Sequence, residues 1–182
     1  MHVYTYGHPI LRKVAEPVQS VTSDVVEIIA SLHETLAKSG GYGLSAPQIG
    51  HSCRIIAFNG SQDKKELKIV TMINPEIINE VGELVPSQEG CWSLPGLPVK
   101  VGRHQRIQVS YIDQDGQNII GESYCGLNAF IIQHEIDHLN GKLICDYAHG
   151  VVRNMVVSKL KKISRRIYGN RLFWRDGEEE KS

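Results

Sequence analysis

The run Gln133-His134-Glu135-Ile136-Asp137-His138 holds two histidines four residues apart, with a carboxylate beside the first. On a helix that spacing stacks both imidazoles on one face, where they can share a metal ion, and leaves the glutamate beside the ion without making it a ligand. A helix is what the neighbourhood predicts: Leu127, Phe130, Ile131, His134 and His138 recur at three- and four-residue steps, and Gly141 supplies a C-terminal stop. A catalytic metal usually takes three protein ligands and keeps one position open for water, so a third ligand must come from elsewhere in the chain. Cys91, in Glu89-Gly90-Cys91-Trp92-Ser93 ahead of a proline-rich turn, is the strongest candidate; its alternative role is that of an inert buried thiol.

A third segment, Gly41-Tyr42-Gly43-Leu44-Ser45-Ala46-Pro47-Gln48-Ile49-Gly50, has glycines that permit close backbone approach and a proline that fixes the chain before a polar Gln48. Alone it could serve as a structural loop. Taken together, the order and spacing of the three segments resemble the three signature motifs of the peptide deformylases. The likeness covers most of the chain, and Tyr6-Gly7-His8-Pro9-Ile10-Leu11-Arg12-Lys13-Val14-Ala15-Glu16-Pro17-Val18 looks like that family's extended N-terminal segment.

The resemblance implies removal of the N-formyl group from the initiator methionine of nascent polypeptides, with release of formate. It is consistent with the residue chemistry: a divalent metal on Cys91, His134 and His138 would bring bound water to hydroxide near neutral pH, and Glu135 would carry its proton to the leaving amine. The family pattern assigns the oxyanion donors to the Gln48 side-chain amide and the Trp92 backbone N–H. It also favours Fe(2+) as the working ion, with Zn(2+), Ni(2+) or Co(2+) compatible with a thiolate and two imidazoles. Two residues depart from the commonest family pattern: Ser45 stands where alanine is usual, and Trp92 where leucine is usual. Neither removes a reacting group, but the indole bears on the shape of the peptide groove.

Selectivity for methionine needs an apolar pocket, and Leu127, Phe130 and Ile131, one turn or two before His134, are candidate walls; each could equally pack the helix. Gly43 and Leu44 are candidates to offer backbone groups to an extended peptide. Glu89 and Asp137 could orient the imidazoles with Arg103 neutralising one of them, or could be ordinary ion pairs. Three alternative functions follow from the same residues. A zincin-like metallopeptidase would take its third ligand after the second histidine and leaves Cys91 and Gln48 unexplained. A deacylase of other N-acyl groups is closer. A metal-stabilised ribosome-binding module would need neither Glu135 nor an open coordination position.

The elements that must position these residues predict an α+β fold in one compact domain spanning 1–182, with antiparallel or mixed β-sheets packed around a central metal-binding helix, and helices near both ends. The first helix shows an apolar stripe of Val25, Ile28, Ile29, Leu32 and Leu36, with Asp24 and Glu27 as a capping pair and Gly40-Gly41 as its end. Strands are expected over 54–58, 68–73, 77–81, 106–112 and 118–122, with Asp115-Gly116 turning the last hairpin.

At 182 residues, 41% hydrophobic and without formal net charge, the chain suits one core. No apolar run of about 18 residues and no charged-then-apolar leader is present, so neither a membrane span nor a secretory signal is expected, and the reading is cytoplasmic. Cys53, Cys125 and Cys145 sit among apolar residues and read as core fillers. Charge is segregated. A basic amphipathic helix is expected over about 147–168, with Arg153, Lys159, Lys161, Lys162, Arg165 and Arg166 beside an apolar stripe of Val152, Met155, Val156, Leu160 and Ile163. Arg171 follows in a polar tail over about 169–182 that is acidic from Asp176 to Glu180. The basic face is either simply solvated or, as in similar bacterial deformylases, a surface for docking on the ribosome.

Overall fold

A computed structural model describes residues 3–61 and 66–168. Five strands form one antiparallel sheet in the order β1-β2-β3-β4-β5: β1 Gly43–Ser45, β2 Ile55–Asn59, β3 Ile69–Cys91, β4 Leu94–Ile112 and β5 Asn118–Cys125. Helix α1 is Ser23–Ser39, α2 is Gly126–Leu139 and α3 is Gly150–Tyr168. The α+β class expected from the sequence is therefore the one found.

The middle of the sheet is covered on both faces because alternate residues of a strand point to opposite sides. In β2, Ile55 and Ala57 join Ile29, Leu32 and Leu36 of α1, whereas Ile56 and Phe58 join Ala129, Ile132, Ile136 and Leu139 of α2. All five β2 residues are buried, the pattern of a strand between two helices. Helix α1 ends where its stripe ends, at Gly40 with φ 65°, whose N–H donates to Leu36 O at 3.2 Å. Its start differs from the expectation. Thr22 occupies the cap position, so Asp24 and Glu27 form no capping pair, and Asp24 lies instead in the first turn, where a negative charge suits the helix dipole.

The largest difference lies in β3 and β4. The runs at 68–73 and 77–81 belong to a single 23-residue strand that continues to Cys91, and the run at 106–112 is the end of a 19-residue strand beginning at Leu94. Register shifts follow Ile73, Ile77, Val81 and Glu89, so no single two-residue period persists along the pair. Asn74, at φ 51°, makes the first irregularity and is held there by its side chain, which accepts from Val18 N–H at 2.8 Å and donates to Val18 O at 2.7 Å. The long hairpin closes with Cys91 opposite Leu94, which puts Trp92 and Ser93 in a two-residue turn. The Asp115-Gly116 turn joins β4 to β5 as expected, with Gly116 at φ 80° and its N–H donating to Asp113 O.

Helix α2 is buried from Ile131 to Leu139 without a break. Such a helix has no solvent face, and its polar side chains must find partners in the interior. Gln133 does so by mimicking a strand: its Nε2 donates to His104 O at 2.8 Å and its Oε1 accepts from His104 N at 3.0 Å.

The N-terminal segment ties the pieces together. Tyr4 N–H donates to Gln48 O, Tyr6 N–H to Ser93 O and Ala15 N–H to Leu139 O, each at 2.8 Å. At Gly141 an added Cβ would lie 2.6 Å from Arg12 O, and the φ of 69° favours glycine in any case.

Helix α3 docks through Val156, Leu160 and Ile163 on a core of Leu11, Leu97, Val99 and Leu143. Val152 and Met155, expected in that stripe, are exposed, so the packed face is narrower than the sequence pattern implied. Arg153, Lys159, Lys161, Lys162 and Arg165 are exposed. Arg171 and the tail over 169–182 lie outside the described residues. Cys145 is buried as expected and Cys53 partly so, but Cys125 is exposed at the end of β5. Among the described residues no helix is long and apolar enough to cross a membrane.

Candidate metal centre

Two elements bring three candidate ligands to one point. The four-residue step on α2 sets the His134 and His138 rings with centroids 5.1 Å apart, and the end of β3 delivers Cys91. The sulfur of Cys91 and a nitrogen of each histidine lie within 4.8 Å of one another, and Cys91 Sγ is 3.2 Å from His138 Nε2. The chemistry of the set fits a divalent transition ion: one soft thiolate and two borderline imidazoles, all close enough to share it. His138 Nδ1 and Glu135 Oε2 are buried without a hydrogen-bond partner, which marks this as a polar interior site rather than a satisfied core.

A buried charge network sets the orientation of His134. Its Nδ1–H donates to Glu89 Oε2 at 2.9 Å, which leaves Nε2 as the nitrogen available to coordinate an ion. Glu89 in turn accepts two bonds from Arg103, from Nε at 2.8 Å and from Nη2 at 2.9 Å. Arg103 Nη1 donates to Asp137 Oδ2 at 2.6 Å, and Tyr147 Oη donates to the same carboxylate at 2.9 Å. Burial alone would raise the Glu89 carboxyl, but the hydrogen bonds from Arg103 and then His134 outweigh it and hold it at about 2. Burial disfavours the charge on Arg103 as well, yet Glu89 and Asp137 raise its pKa above the ordinary value. Asp137 therefore serves Arg103 and Tyr147, not an imidazole as the sequence allowed.

Gln48 lies on a 3-10 turn, Ala46–Ile49, that follows β1 directly. Its side-chain oxygen is occupied by Ser45 N–H at 2.9 Å and Ser45 Oγ at 3.0 Å. The amide nitrogen is thereby turned the other way, to Ser93 Oγ at 3.2 Å and Cys91 Sγ at 3.6 Å. Ser93 Oγ itself donates to Tyr4 O at 2.8 Å, so the N-terminal segment fixes the turn that carries Cys91 and Trp92. The acid between the two histidines is different in kind. Burial pushes the Glu135 carboxyl up to about 7, against the pull of His134 and of the neighbouring Ser45 hydroxyl.

A cavity of about 540 Å³ opens onto these groups and is lined by Gln48, Cys91, Trp92, His134 and Glu135. Leu127, Phe130, Ile131 and Gly43 line it too. His138 lies behind the wall, and Leu44 is absent from it. The Leu44 side chain is fully buried in the α1 core. Its backbone is also committed: Asn59 N–H donates to Tyr42 O at 2.8 Å, so in the alternating antiparallel ladder Leu44 pairs with Ala57, while Gly43 and Ser45 turn their backbone groups to the open edge of the sheet. A side chain at Gly43 is disfavoured by packing, since a Cβ there would meet Glu135 Oε1 at 2.6 Å and Ile131 at 2.7 Å.

Ser93 and Tyr147 were not expected in the site. A serine in a turn and a tyrosine after a helix carry no spacing signal, but Arg103 did: Leu97, Val99 and Val101 alternate inward along β4, and Arg103 takes the next inward position.

A thiolate-imidazole-imidazole site beside a buried carboxylate and an apolar cavity has the layout of a metal-dependent hydrolase. The polypeptide deformylase family model matches residues 1–154. The peptide deformylase of Azotobacter vinelandii is 38% identical over 165 residues, covering 90% of this chain and 95% of that one. That of Pseudomonas aeruginosa is 38% identical over 165 residues, with 91% and 96% covered. Among solved structures, a peptide deformylase from Legionella pneumophila superposes with a TM-score of 0.81 at 32% identity, covering 93% of this chain and 97% of that one. One from Plasmodium falciparum gives 0.84 at 32%, covering 93% and 98%. The chain belongs to the polypeptide deformylase family.

Removing Glu89 should loosen the ion without unfolding the ligand helix. Glu89→Gln is expected to weaken metal affinity about 10- to 100-fold in chelator competition; an unchanged affinity would show that Glu89 does not orient His134. Because the folded-state carboxyl lies at about 2 against an ordinary 4.5, its contribution to stability is present above about pH 4.5 and is lost as pH falls toward 2. The variant should therefore show a shallower loss of stability across that window.

Proposed function

We propose that this chain, as a single catalytic domain over 1–182, removes the formyl group from the N-terminal methionine of newly made polypeptides, releasing formate and a free amine. The observation that carries the reading is the buried Glu135 carboxyl, with one oxygen unpaired, on the cavity wall it shares with Cys91 and His134. Cys91, His134 and His138 would hold one divalent ion, Fe(2+) in our reading, which when bound supplies Lewis-acid activation of water at neutral pH.

The remaining work falls to the chain's own groups. Glu135 accepts a proton from the attacking water and returns it to the nitrogen as the carbon–nitrogen bond breaks, and a carboxyl held near 7 can do both at neutral pH. Gln48 Nε2 and the Trp92 N–H donate to the negative charge that develops on the formyl oxygen. Anchoring of the Gln48 oxygen by Ser45 means that its NH₂ end does not have to be reoriented during the reaction. Leu127, Phe130 and Ile131 receive the methionine side chain, and the open Gly43 backbone, facing residues 87–90 of β3 across the cavity, binds the peptide as an added strand.

The roles separate experimentally. In formate release from a formyl-Met peptide, with acetyl-Met as control, Glu135→Ala should lose turnover and keep its metal, while Cys91→Ala should lose the metal itself. Gln48→Ala should lower kcat about 10²- to 10³-fold. Full activity of Glu135→Ala would refute the mechanism. If iron is the working ion, protein prepared without oxygen should outperform the same protein exposed to air, with iron content tracking activity; equal rates would exclude iron.

The reaction belongs in the cytoplasm, where formylated chains emerge, and α3 presents Arg153, Lys159, Lys161, Lys162 and Arg165 to solvent as a surface for ribosomal RNA. Lys161→Glu with Arg165→Glu should weaken salt-sensitive co-sedimentation with ribosomes while leaving hydrolysis of a short formyl-Met peptide unchanged. Undiminished co-sedimentation would show that this face of α3 is not the docking surface.

A further inference from the structure

The mouth of the cavity carries three large, half-exposed side chains: Trp92 at 48%, Tyr42 at 40% and Leu127 at 50%. They come from the β3–β4 turn, the segment before β1 and the first turn of α2, so three separate elements converge on one apolar rim. Gathered at a site entrance, such surface is accounted for when a ligand covers it.

Trp92 is the best defined of the three. Its neighbour in the turn, Ser93, is fully buried and bonded on both sides, which fixes the turn and leaves the indole pointing outward. The indole sits on Gly41, where an added Cβ would lie 2.6 Å from Nε1. Unlike Gly40, Gly41 does not adopt a left-handed φ, so the backbone does not require glycine there; with the indole in its present position, a larger residue would have to displace it. Among the described residues no lysine or arginine lines the cavity, and of its two acids Glu89 is bonded to Arg103.

We propose that the Trp92 indole, seated on Gly41, is a specificity element that reads the side chain following the formyl-methionine, favouring aromatic and large apolar residues over glycine. This rests on the deformylase reading, and it concerns the indole, not the Trp92 backbone. An aromatic contact of this kind corresponds to a preference of about three- to tenfold.

The test compares kcat/KM for formyl-Met-X peptides, with X as Gly, Leu or Phe, in the metal-loaded wild type and in Trp92→Leu, Gly41→Ala and the double variant. The Phe-to-Gly ratio should exceed unity in the wild type and fall toward it in each single variant, mainly through KM. In the Trp92→Leu background, Gly41→Ala should change the ratio little further, since its closest clash, at 2.6 Å, is with the indole and its contact with Ser39 Oγ, at 3.3 Å, is looser. A ratio unmoved by Trp92→Leu, or moved equally by Gly41→Ala in both backgrounds, overturns the proposal while formyl-Met-Gly hydrolysis leaves the underlying reading intact. Tryptophan fluorescence supplies a readout that does not need turnover. Titration with Met-Phe should shift emission more than Met-Gly, and the difference should vanish in Trp92→Leu; equal shifts in the wild type would overturn the proposal even if no formyl peptide were hydrolysed.

Discussion

Arg103 is a guanidinium taken out of water, and the architecture around it follows from the need to satisfy it. An uncompensated buried charge of this kind costs several kcal/mol, and here it is met by two carboxylates, Glu89 from β3 and Asp137 from α2, with the Tyr147 hydroxyl completing the second. Those contacts join the long hairpin to the ligand helix. The same Glu89 orients His134, so the force that locks β3 against α2 also fixes a ring of the candidate metal site. Changing the arginine would leave two buried carboxylates facing each other, and the metal site would be lost with the packing.

A second tie runs through neutral groups. The N-terminal segment bonds the main chain of Gln48 and Ser93, and Ser93 bonds the Gln48 amide. The two proposed oxyanion donors thus belong to different elements but share one strap, which limits how far they can drift apart. Preorganised donors are effective because they need not move when charge develops, and this cross-bracing is what preorganisation consists of here.

Much of the site was legible in the sequence because it depends on short-range geometry. The four-residue step between His134 and His138 survives any packing of α2, and the apolar stripe of α1 ends at Gly40 as its pattern indicated. What escaped depends on long-range pairing. The lengths of β3 and β4 are hidden by four register shifts that break the two-residue period, and the outer half of the ribbon pairs only with itself. Asp24 and Glu27 have the spacing of a capping box but begin two positions too late, because Thr22 takes the cap. Val152 and Met155 carry the right periodicity for a packed stripe, and only the placement of the core beneath α3 leaves them in solvent.

The edge formed by β1 has a consequence for the protein's own solubility. Unpaired strand edges invite other chains to add on, which is how sheets begin to aggregate. This edge is three residues long, and the outward N–H of Ser45 is already taken by Gln48. What remains open, at Gly43, can hold a single extended visitor for about one residue of pairing. It is too little to seed a growing sheet, and it would let a bound chain depart once its end has been processed.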